Sequence, residues 1–253
     1  MSTAAVEGGG LSPRARFAWL DIARGLALVA MAVYHFVWDL ALFGLVEPWT
    51  PFEPHWVLLA RATAGSFLFL VGIGLVLGHA RGIRWKPFLR RLAQIAGAAM
   101  LITIGTWIAT PDAFIFFGIL HMIAVGSVVG LLLVRAPPWV SWAAALAVLL
   151  IGMRVALPFF DEPVWWWSGL GTQPIRSNDL VPFFPAFAAV AFGIAFAKTV
   201  PLDRIRFNRF ARPSLTLLER VLTFAGRHSL WVYLLHQPVL IGALWLYLRV
   251  VSN

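Results

Sequence analysis

Apolar stretches long enough to cross a lipid bilayer recur along almost the whole chain, and they constrain its fold more than any other feature. A membrane-crossing helix needs about 20 mostly apolar residues, and we identify about seven such stretches. Hydrophobic residues make up 60% of the 253 and charged residues only 12%, whereas a soluble domain is about one-quarter charged. An ordinary soluble enzyme, a disordered chain and a nucleic-acid-binding domain are therefore excluded. The predicted spans are Phe17–Leu40, Trp56–Ala80, Leu92–Ala109, Phe114–Val134, Trp139–Leu157, Val181–Ala197 and Leu230–Leu248.

These spans predict an all-α fold, a polytopic helical bundle embedded in a membrane. We expect a single transmembrane domain over residues 17–250 and a flexible cytoplasmic leader over residues 1–16. The first span is too long and too charged for a cleaved signal peptide. The chain contains no cysteine, which excludes disulfides, zinc–thiolate sites, iron–sulfur clusters and cysteine nucleophiles.

The distribution of basic residues predicts the orientation of the bundle. Most of the 20 Lys and Arg residues lie before the first span or in every second loop after it, while the other loops are mainly acidic. Because Lys and Arg are enriched in cytoplasmic loops, we expect a cytoplasmic N-terminus and an external C-terminus. The net charge of +9 is therefore interpreted as a topology signal and not as a sign of nucleic-acid binding.

The first span carries four ionisable residues on one helical face. At about 100° per residue, Asp21, Arg24, His35 and Asp39 fall within a stripe roughly 60° wide. Charged side chains inside a membrane are costly, so they normally turn inward and mark a site or a pathway. Asp21 and Arg24 are spaced to pair. Asp39 follows His35 by one helical turn, where a carboxylate can orient an imidazole and stabilise its charged form.

The second span has a comparable face. Arg61 and His79 nearly superimpose in projection, and Gly65 and Gly72 lie between them on that face. Small residues permit close contact between membrane helices. We therefore expect this face to meet the charged stripe of the first span.

Structural roles are open alternatives for several of these residues. The Asp21–Arg24 pair also fits an ion pair at a helix end, and His79 also fits a solvated residue at the membrane boundary. His121 and His236 lie inside predicted spans, where a histidine can serve packing alone. His35 is the strongest candidate for chemistry, because it lies deep on the charged stripe with a carboxylate on the same face.

The order of these polar motifs resembles that of a known family. Arg24 is followed by ten residues and then His35, like the Arg/Lys–x10–His signature of the transmembrane acyltransferase superfamily. The wider pattern is more similar to the bacterial relatives of heparan-alpha-glucosaminide N-acetyltransferase, and it runs from the first span to the last. The matching segments are Asp21-x-x-Arg24-Gly25, His35-Phe36-x-Trp38-Asp39-Leu40, Phe117–His121, Ser177–Pro185 and Gly226–Pro238.

The resemblance implies an acyl-CoA-dependent transmembrane acyltransferase, either an N- or an O-acetyltransferase. Such enzymes move an acyl group, commonly acetyl, from cytoplasmic acyl-CoA to a sugar amine or hydroxyl at the external face. The expected partners are acetyl-CoA as donor substrate, a glycan or amino-sugar acceptor and membrane lipid, without a metal or nucleic acid. A homodimer is an arrangement that the sequence leaves open. The expected location is the bacterial inner membrane, as a multi-pass protein.

The resemblance and the residue chemistry together divide the polar residues into two groups. His35 is the leading candidate for a general base, because histidine titrates near neutral pH. Arg24 is placed to hold CoA phosphates, which guanidinium groups bind well. The expected catalytic residues are His35, Asp39, His121, Asp179 and His236. The expected acyl-CoA-binding residues are Asp21, Arg24, Arg61, Arg81, Arg84, Arg227 and Ser229.

Two alternatives stay open from the sequence. The first concerns the identity of the catalytic base. In the eukaryotic enzymes of the family, an amide side chain stands where this chain has His35. Their proposed catalytic histidine lies in the loop after the first span, where this chain has His55. A different class of protein, a proton-coupled small-molecule transporter, would use the Asp21–Asp39 stripe as its relay. We find no inverted repeat and no paired broken helices in the sequence, which argues against a transporter.

Overall fold

The computed structural model describes residues 18–202 and 216–251, and all regular secondary structure within these two ranges is helical. The prediction of an all-α fold is therefore confirmed, while the predicted leader over residues 1–16 lies outside the described residues. The α-helices are α1 (Ala18–Leu42), α2 (Pro54–His79), α3 (Trp85–Ala109), α4 (Ile119–Val134), α5 (Pro138–Arg154), α6 (Phe183–Thr199), α7 (Leu217–Arg227) and α8 (Ser229–Val251).

Four of the described helices, α1, α2, α3 and α8, are long and apolar enough to cross a membrane. Helices α4, α5 and α6 are also apolar but contain only 16, 17 and 17 residues. At about 1.5 Å per residue, each of these three helices alone falls short of a hydrocarbon core about 30 Å thick. The chain is thus a multi-pass membrane protein, and the count of seven spans and the orientation of its ends stay predictions.

The start of the fourth predicted span differs from the structure. We expected helix from Phe114, but α4 begins at Ile119 and the residues between them are not helical. The amide of Ile115 donates to the hydroxyl of Thr106 at 2.9 Å, and its carbonyl accepts from the hydroxyl of Thr103 at 2.7 Å. Because both hydroxyls belong to α3, they hold this segment in an extended conformation where a continuous helix was expected.

The same extended segment also pairs with the connection between α5 and α6. The carbonyl of Ala113 accepts from the amide of Asn178 at 2.8 Å, and the carbonyl of Phe117 accepts from the amide of Val181 at 3.0 Å. Non-helical backbone is tolerated at membrane depth only where protein surrounds it and satisfies its polar groups. The α5–α6 connection therefore completes this part of the bundle.

Helix α6 lies at the centre of the described bundle. Its residues Val190, Ala191 and Ile194 have no exposed surface, and α2 approaches its backbone at Gly72. A Cβ atom added at Gly72 would overlap the carbonyl oxygen of Val190, so this contact requires glycine. We expected the Gly65 and Gly72 face of α2 to meet α1, but Gly72 packs against α6 instead.

We expect the substitution Gly72→Ala to destabilise the bundle strongly. Overpacking of a tight core costs about 1–3 kcal/mol, and here the obstructing atom is backbone, which yields less readily than a side chain. Thermal unfolding in detergent measures this loss. The matched control is Gly97→Ala on α3, where an added Cβ meets nothing within 4 Å; equal unfolding temperatures for the two variants would contradict the packing argument.

Helix α7 was not predicted, because its residues were assigned to a basic loop between the last two spans. It begins with a capping box in which the amide of Glu219 donates to the hydroxyl of Thr216 at 3.3 Å and the amide of Thr216 donates to the Glu219 carboxylate at 2.8 Å. Such reciprocal bonds satisfy backbone donors at a helix start. The arginines expected earlier in this loop, Arg204, Arg206, Arg209 and Arg212, lie outside the described residues.

Candidate active site

Two glycines allow α7 to lie directly on α1. A Cβ atom at Gly25 of α1 would overlap the carbonyl of Leu222, and one at Gly226 of α7 would overlap the carbonyl of Asp21. This close approach places Arg227, the residue after Gly226, against the start of α1. The unpredicted helix thereby brings a residue from late in the chain to the first charged turn of α1.

Asp21 joins two arginines at this contact. Arg24 donates from Nη1 to Asp21 Oδ1 at 3.1 Å, and Arg227 donates from Nε to Asp21 Oδ2 at 3.1 Å. The predicted i,i+3 pair of Asp21 and Arg24 is thus present. The carboxylate of Asp21 thus holds the guanidinium groups of Arg24 and Arg227 in place. The three side chains together keep one positive charge in excess.

A cavity of about 530 Å³ opens beside this cluster, between α1, α2, α3, α4, α7 and α8. Among the described lining residues there are four guanidinium groups, those of Arg24, Arg84, Arg91 and Arg227, against the single carboxylate of Asp21. Guanidinium groups bind phosphates through bidentate, charge-assisted hydrogen bonds. This part of the cavity is therefore suited to a phosphate-bearing ligand.

The predicted acyl-CoA-binding residues separate into those at the cavity and those away from it. Five line it: Asp21, Arg24, Arg84, Arg227 and Ser229. Arg61 and Arg81 are exposed and are not among the lining residues. Arg61 therefore does not meet the charged stripe of α1, although His79 at the other end of α2 does reach the cavity.

In the sequence, Arg91 ends the basic loop Arg81–Arg91, which we expected to hold CoA phosphates together with Arg24, and the role of His79 was open. Arg91 lies seven residues after Arg84, a spacing of two helical turns that was available as a signal for a shared face. His79 donates from Nδ1 to the carbonyl of Leu75 at 2.8 Å, which fixes its ring in the cavity wall. Both residues extend the basic side of the cavity toward α2 and α3.

The remaining wall of the cavity is apolar and leads to Tyr233. Leu92, Leu120 and Leu230 are among the residues that line it. Tyr233 also lines the cavity, and its ring centroid lies 5.5 Å from that of His236. Tyr233 therefore connects the arginine-lined cavity with the second group of predicted residues.

His35 and His236 form a pair between α1 and α8. Their ring centroids lie 4.8 Å apart in an edge-to-face arrangement. His236 Nδ1 lies 2.5 Å from the carbonyl oxygen of Tyr233, and because a carbonyl only accepts, we assign the proton to Nδ1. His236 Nε2 is then a bare lone pair, buried and without a hydrogen-bond partner in the described part of the chain. A lone pair of this kind can accept a proton.

Asp39 lies near this pair but has a different partner from the one expected. We expected its carboxylate to orient His35, whereas the hydrogen bond that the structure shows comes from Gln237 Nε2 to Asp39 Oδ1 at 2.5 Å. Asp39 is fully buried. Gln237 was missed as a site residue, although it directly follows His236 in the motif that carried the resemblance.

His121 has both of its ring nitrogens engaged at the start of α4. The amide of Gly118 donates to Nδ1 at 3.2 Å, so Nε2 carries the proton of the neutral ring and donates to the hydroxyl of Thr103 at 3.1 Å. That hydroxyl in turn donates to the carbonyl of Ile115. These bonds fix α4 against α3, and they favour a positioning role for His121 over proton transfer.

Asp179 lies in the connection before α6, also at the start of α4. Its Oδ2 accepts from the amide of Ile119 at 3.1 Å. Burial raises the pKa of Asp179, and the hydrogen bond from Ile119 opposes this shift. Asp179 thus joins the connection before α6 to the start of α4.

This fold and site define a class of protein: a multi-pass membrane protein in which a basic cavity adjoins a half-buried histidine pair. A family model described as "Heparan-alpha-glucosaminide N-acetyltransferase, catalytic" matches residues 16–238. The chain belongs to this family, which confirms the resemblance and indicates a membrane acetyltransferase. No curated protein and no solved structure matches the chain.

Proposed function

We propose that the protein transfers an acyl group, commonly acetyl, from cytoplasmic acyl-CoA to a sugar amine or hydroxyl at the external face of the bacterial inner membrane. The observation that carries this proposal is the arginine-lined cavity that reaches Tyr233, next to the His35–His236 pair. Family membership supports the acetyl group as the cargo. We place donor binding in the cavity and proton transfer at the histidine pair.

The two sides of the cavity suit the two ends of acyl-CoA. Phosphates would bind to Arg24, Arg84, Arg91 and Arg227, while the apolar wall that leads to Tyr233 would hold the pantetheine arm and the acyl chain. Apolar walls with a few placed polar groups are typical of ligand sites. The thioester carbonyl would then lie near Tyr233, at the boundary with the histidine pair.

The proposed reaction is direct transfer. The acceptor nitrogen or oxygen attacks the thioester carbon and its proton moves to the histidine pair, of which His35 is the leading general base. The C–S bond breaks, and CoA leaves as a thiolate that takes up a proton. His236 Nε2, which has no hydrogen-bond partner among the described residues, lies on a ring that contacts His35, and this supports the pair as the proton acceptor.

Acetyl-CoA binding to the purified protein in detergent tests this proposal without knowledge of the acceptor. We expect saturable binding, followed by release of CoA when amino sugars or glycans are supplied. Because the chain has no cysteine, a thiol reagent reports the released CoA without background from the protein. Failure of well-folded protein to bind acetyl-CoA or longer acyl-CoAs would overturn the proposal and favour a transporter.

A further inference from the structure

A fully buried carboxyl group and a half-buried amide side chain, those of Asp39 and Gln237, meet between α1 and α8. Asp39 has 0% of its surface exposed, and its Oδ1 accepts a hydrogen bond from Gln237 Nε2 at 2.5 Å. The proposed transfer reaction does not use this contact. Its chemistry can therefore be considered separately from acyl-CoA binding.

Asp39 has no positively charged partner among the residues that the structure describes. The ion pairs of the described residues involve Asp21 and Glu53 but not Asp39. An unpaired carboxylate is very costly to bury, and such a group usually takes up a proton and becomes neutral. The surroundings of Asp39 therefore favour the carboxylic acid over the carboxylate.

Two further atoms at this contact lack hydrogen-bond partners. Asp39 Oδ2 and Gln237 Oε1 are both buried and unpaired in the described part of the chain. Both are acceptors when Asp39 is ionised, so they cannot satisfy each other. A proton on Oδ2 makes that oxygen a donor, and its hydrogen bond to Oε1 would satisfy both atoms at once.

We propose that Asp39 and Gln237 form a proton-binding site, in which a neutral carboxylic acid and a primary amide pair through two hydrogen bonds. One bond runs from Gln237 Nε2 to Asp39 Oδ1 and is present in the structure; the other runs from protonated Asp39 Oδ2 to Gln237 Oε1. On α1, His35 lies one helical turn before Asp39, and on α8, His236 directly precedes Gln237. The rings of these two histidines contact each other.

This assignment changes the role of Asp39. A neutral acid does not stabilise an imidazolium, so His35 and His236 rest uncharged and available to accept a proton. Gln237 becomes a positioning residue, because it holds the acid without supplying charge. The proton site exists whether or not the protein transfers acyl groups, so its test needs no substrate.

Infrared difference spectroscopy tests the site directly. A carboxylic acid has a C=O stretch at higher wavenumber than a carboxylate, and the band moves when the acid proton is exchanged for deuterium. We expect this band in the wild-type protein near neutral pH and its loss in Asp39→Asn. A wild-type spectrum with only carboxylate bands, or a band that persists in Asp39→Asn, would overturn the proposal.

Stability measurements separate a proton site from a merely structural contact. In Asp39→Asn the side-chain amide supplies the donor that the acid proton supplied, so both hydrogen bonds persist and the unfolding temperature stays at the wild-type value. Gln237→Leu removes the pairing, so we expect lower stability and an acid band at higher wavenumber. An unchanged band in Gln237→Leu would contradict the pairing, including in the case where Asp39→Asn fails to fold.

Two control variants test whether the carboxylic-acid band comes from Asp39. Asp179 is a half-buried carboxyl group whose pKa burial also raises, so the spectrum of Asp179→Asn identifies any band that it contributes. Asp112 is exposed in the turn before α4, and Asp112→Asn should leave the acid band unchanged. The band assigned to Asp39 must survive both substitutions.

Discussion

Substitution of His35 by alanine is expected to abolish acyl transfer and to leave acetyl-CoA binding nearly unchanged. A positioned general acid or base contributes about 10²–10⁴-fold to a rate, and His35 does not line the cavity that we assign to the donor. The substitution His35→Ala should therefore lower the rate of CoA release and leave the affinity for acetyl-CoA nearly unchanged. Single-turnover CoA release beside equilibrium binding measures the two quantities separately.

Two further variants make this prediction specific. His236→Ala should cause a similar loss, and the double variant should lose little more than either single one, because residues that act as a unit are not additive. His55→Ala is the matched control, since its side chain is 64% exposed. If His35→Ala keeps near-normal activity while His55→Ala loses it, the general base is His55 and our assignment is wrong.

Substitution of Arg24 by alanine is expected to weaken acetyl-CoA binding by about 10- to 100-fold. A hydrogen bond to a charged group contributes about 1.5–3 kcal/mol, and every 1.4 kcal/mol is about a factor of ten in affinity. Arg24 lines the basic side of the cavity, where its guanidinium faces the position proposed for a phosphate. Isothermal titration at low salt measures the loss.

Arg24 also pairs with Asp21, so a second variant excludes a purely structural cause. Arg91→Ala removes another guanidinium of the cavity on a different helix, and we expect a loss of similar size. The control is Arg61→Ala, which removes the same positive charge from an exposed position outside the cavity. Equal affinities for Arg24→Ala, Arg91→Ala and wild type would contradict the donor site.

The sequence was sufficient to predict the all-α membrane fold, because span length and low charge leave few alternatives. It also indicated that Asp39 would lie inside the bundle, whereas Arg61, expected on an inward face, is exposed. The start of α4 could not be predicted, since the apolar run from Phe114 looks like helix until the hydroxyls of Thr103 and Thr106 bind Ile115. Periodicity along one segment carries no information about partners on another.

Most residues of the site could be predicted from the sequence, but fewer of the contacts between them could be. Asp21 and Arg24 are neighbours on one helix, so their contact follows from spacing. The contacts of Asp39 with Gln237 and of Arg227 with Asp21 join residues about 200 positions apart, and no local rule selects such partners. The glycines that let α7 approach α1 were visible in the sequence, but the surface they would meet was not.

The extended segment before α4 has a consequence for how this protein tolerates insertions. A surface loop usually accepts added residues because its backbone is solvated. The α5–α6 connection instead supplies amides of Asn178 and Val181 to the carbonyls of Ala113 and Phe117. An epitope tag placed between Asn178 and Val181 would leave polar backbone unpaired within the bundle, whereas the same tag near exposed Gln173 would leave those bonds intact. Within one connection between two helices, a few residues thus separate a permissive position from a prohibited one.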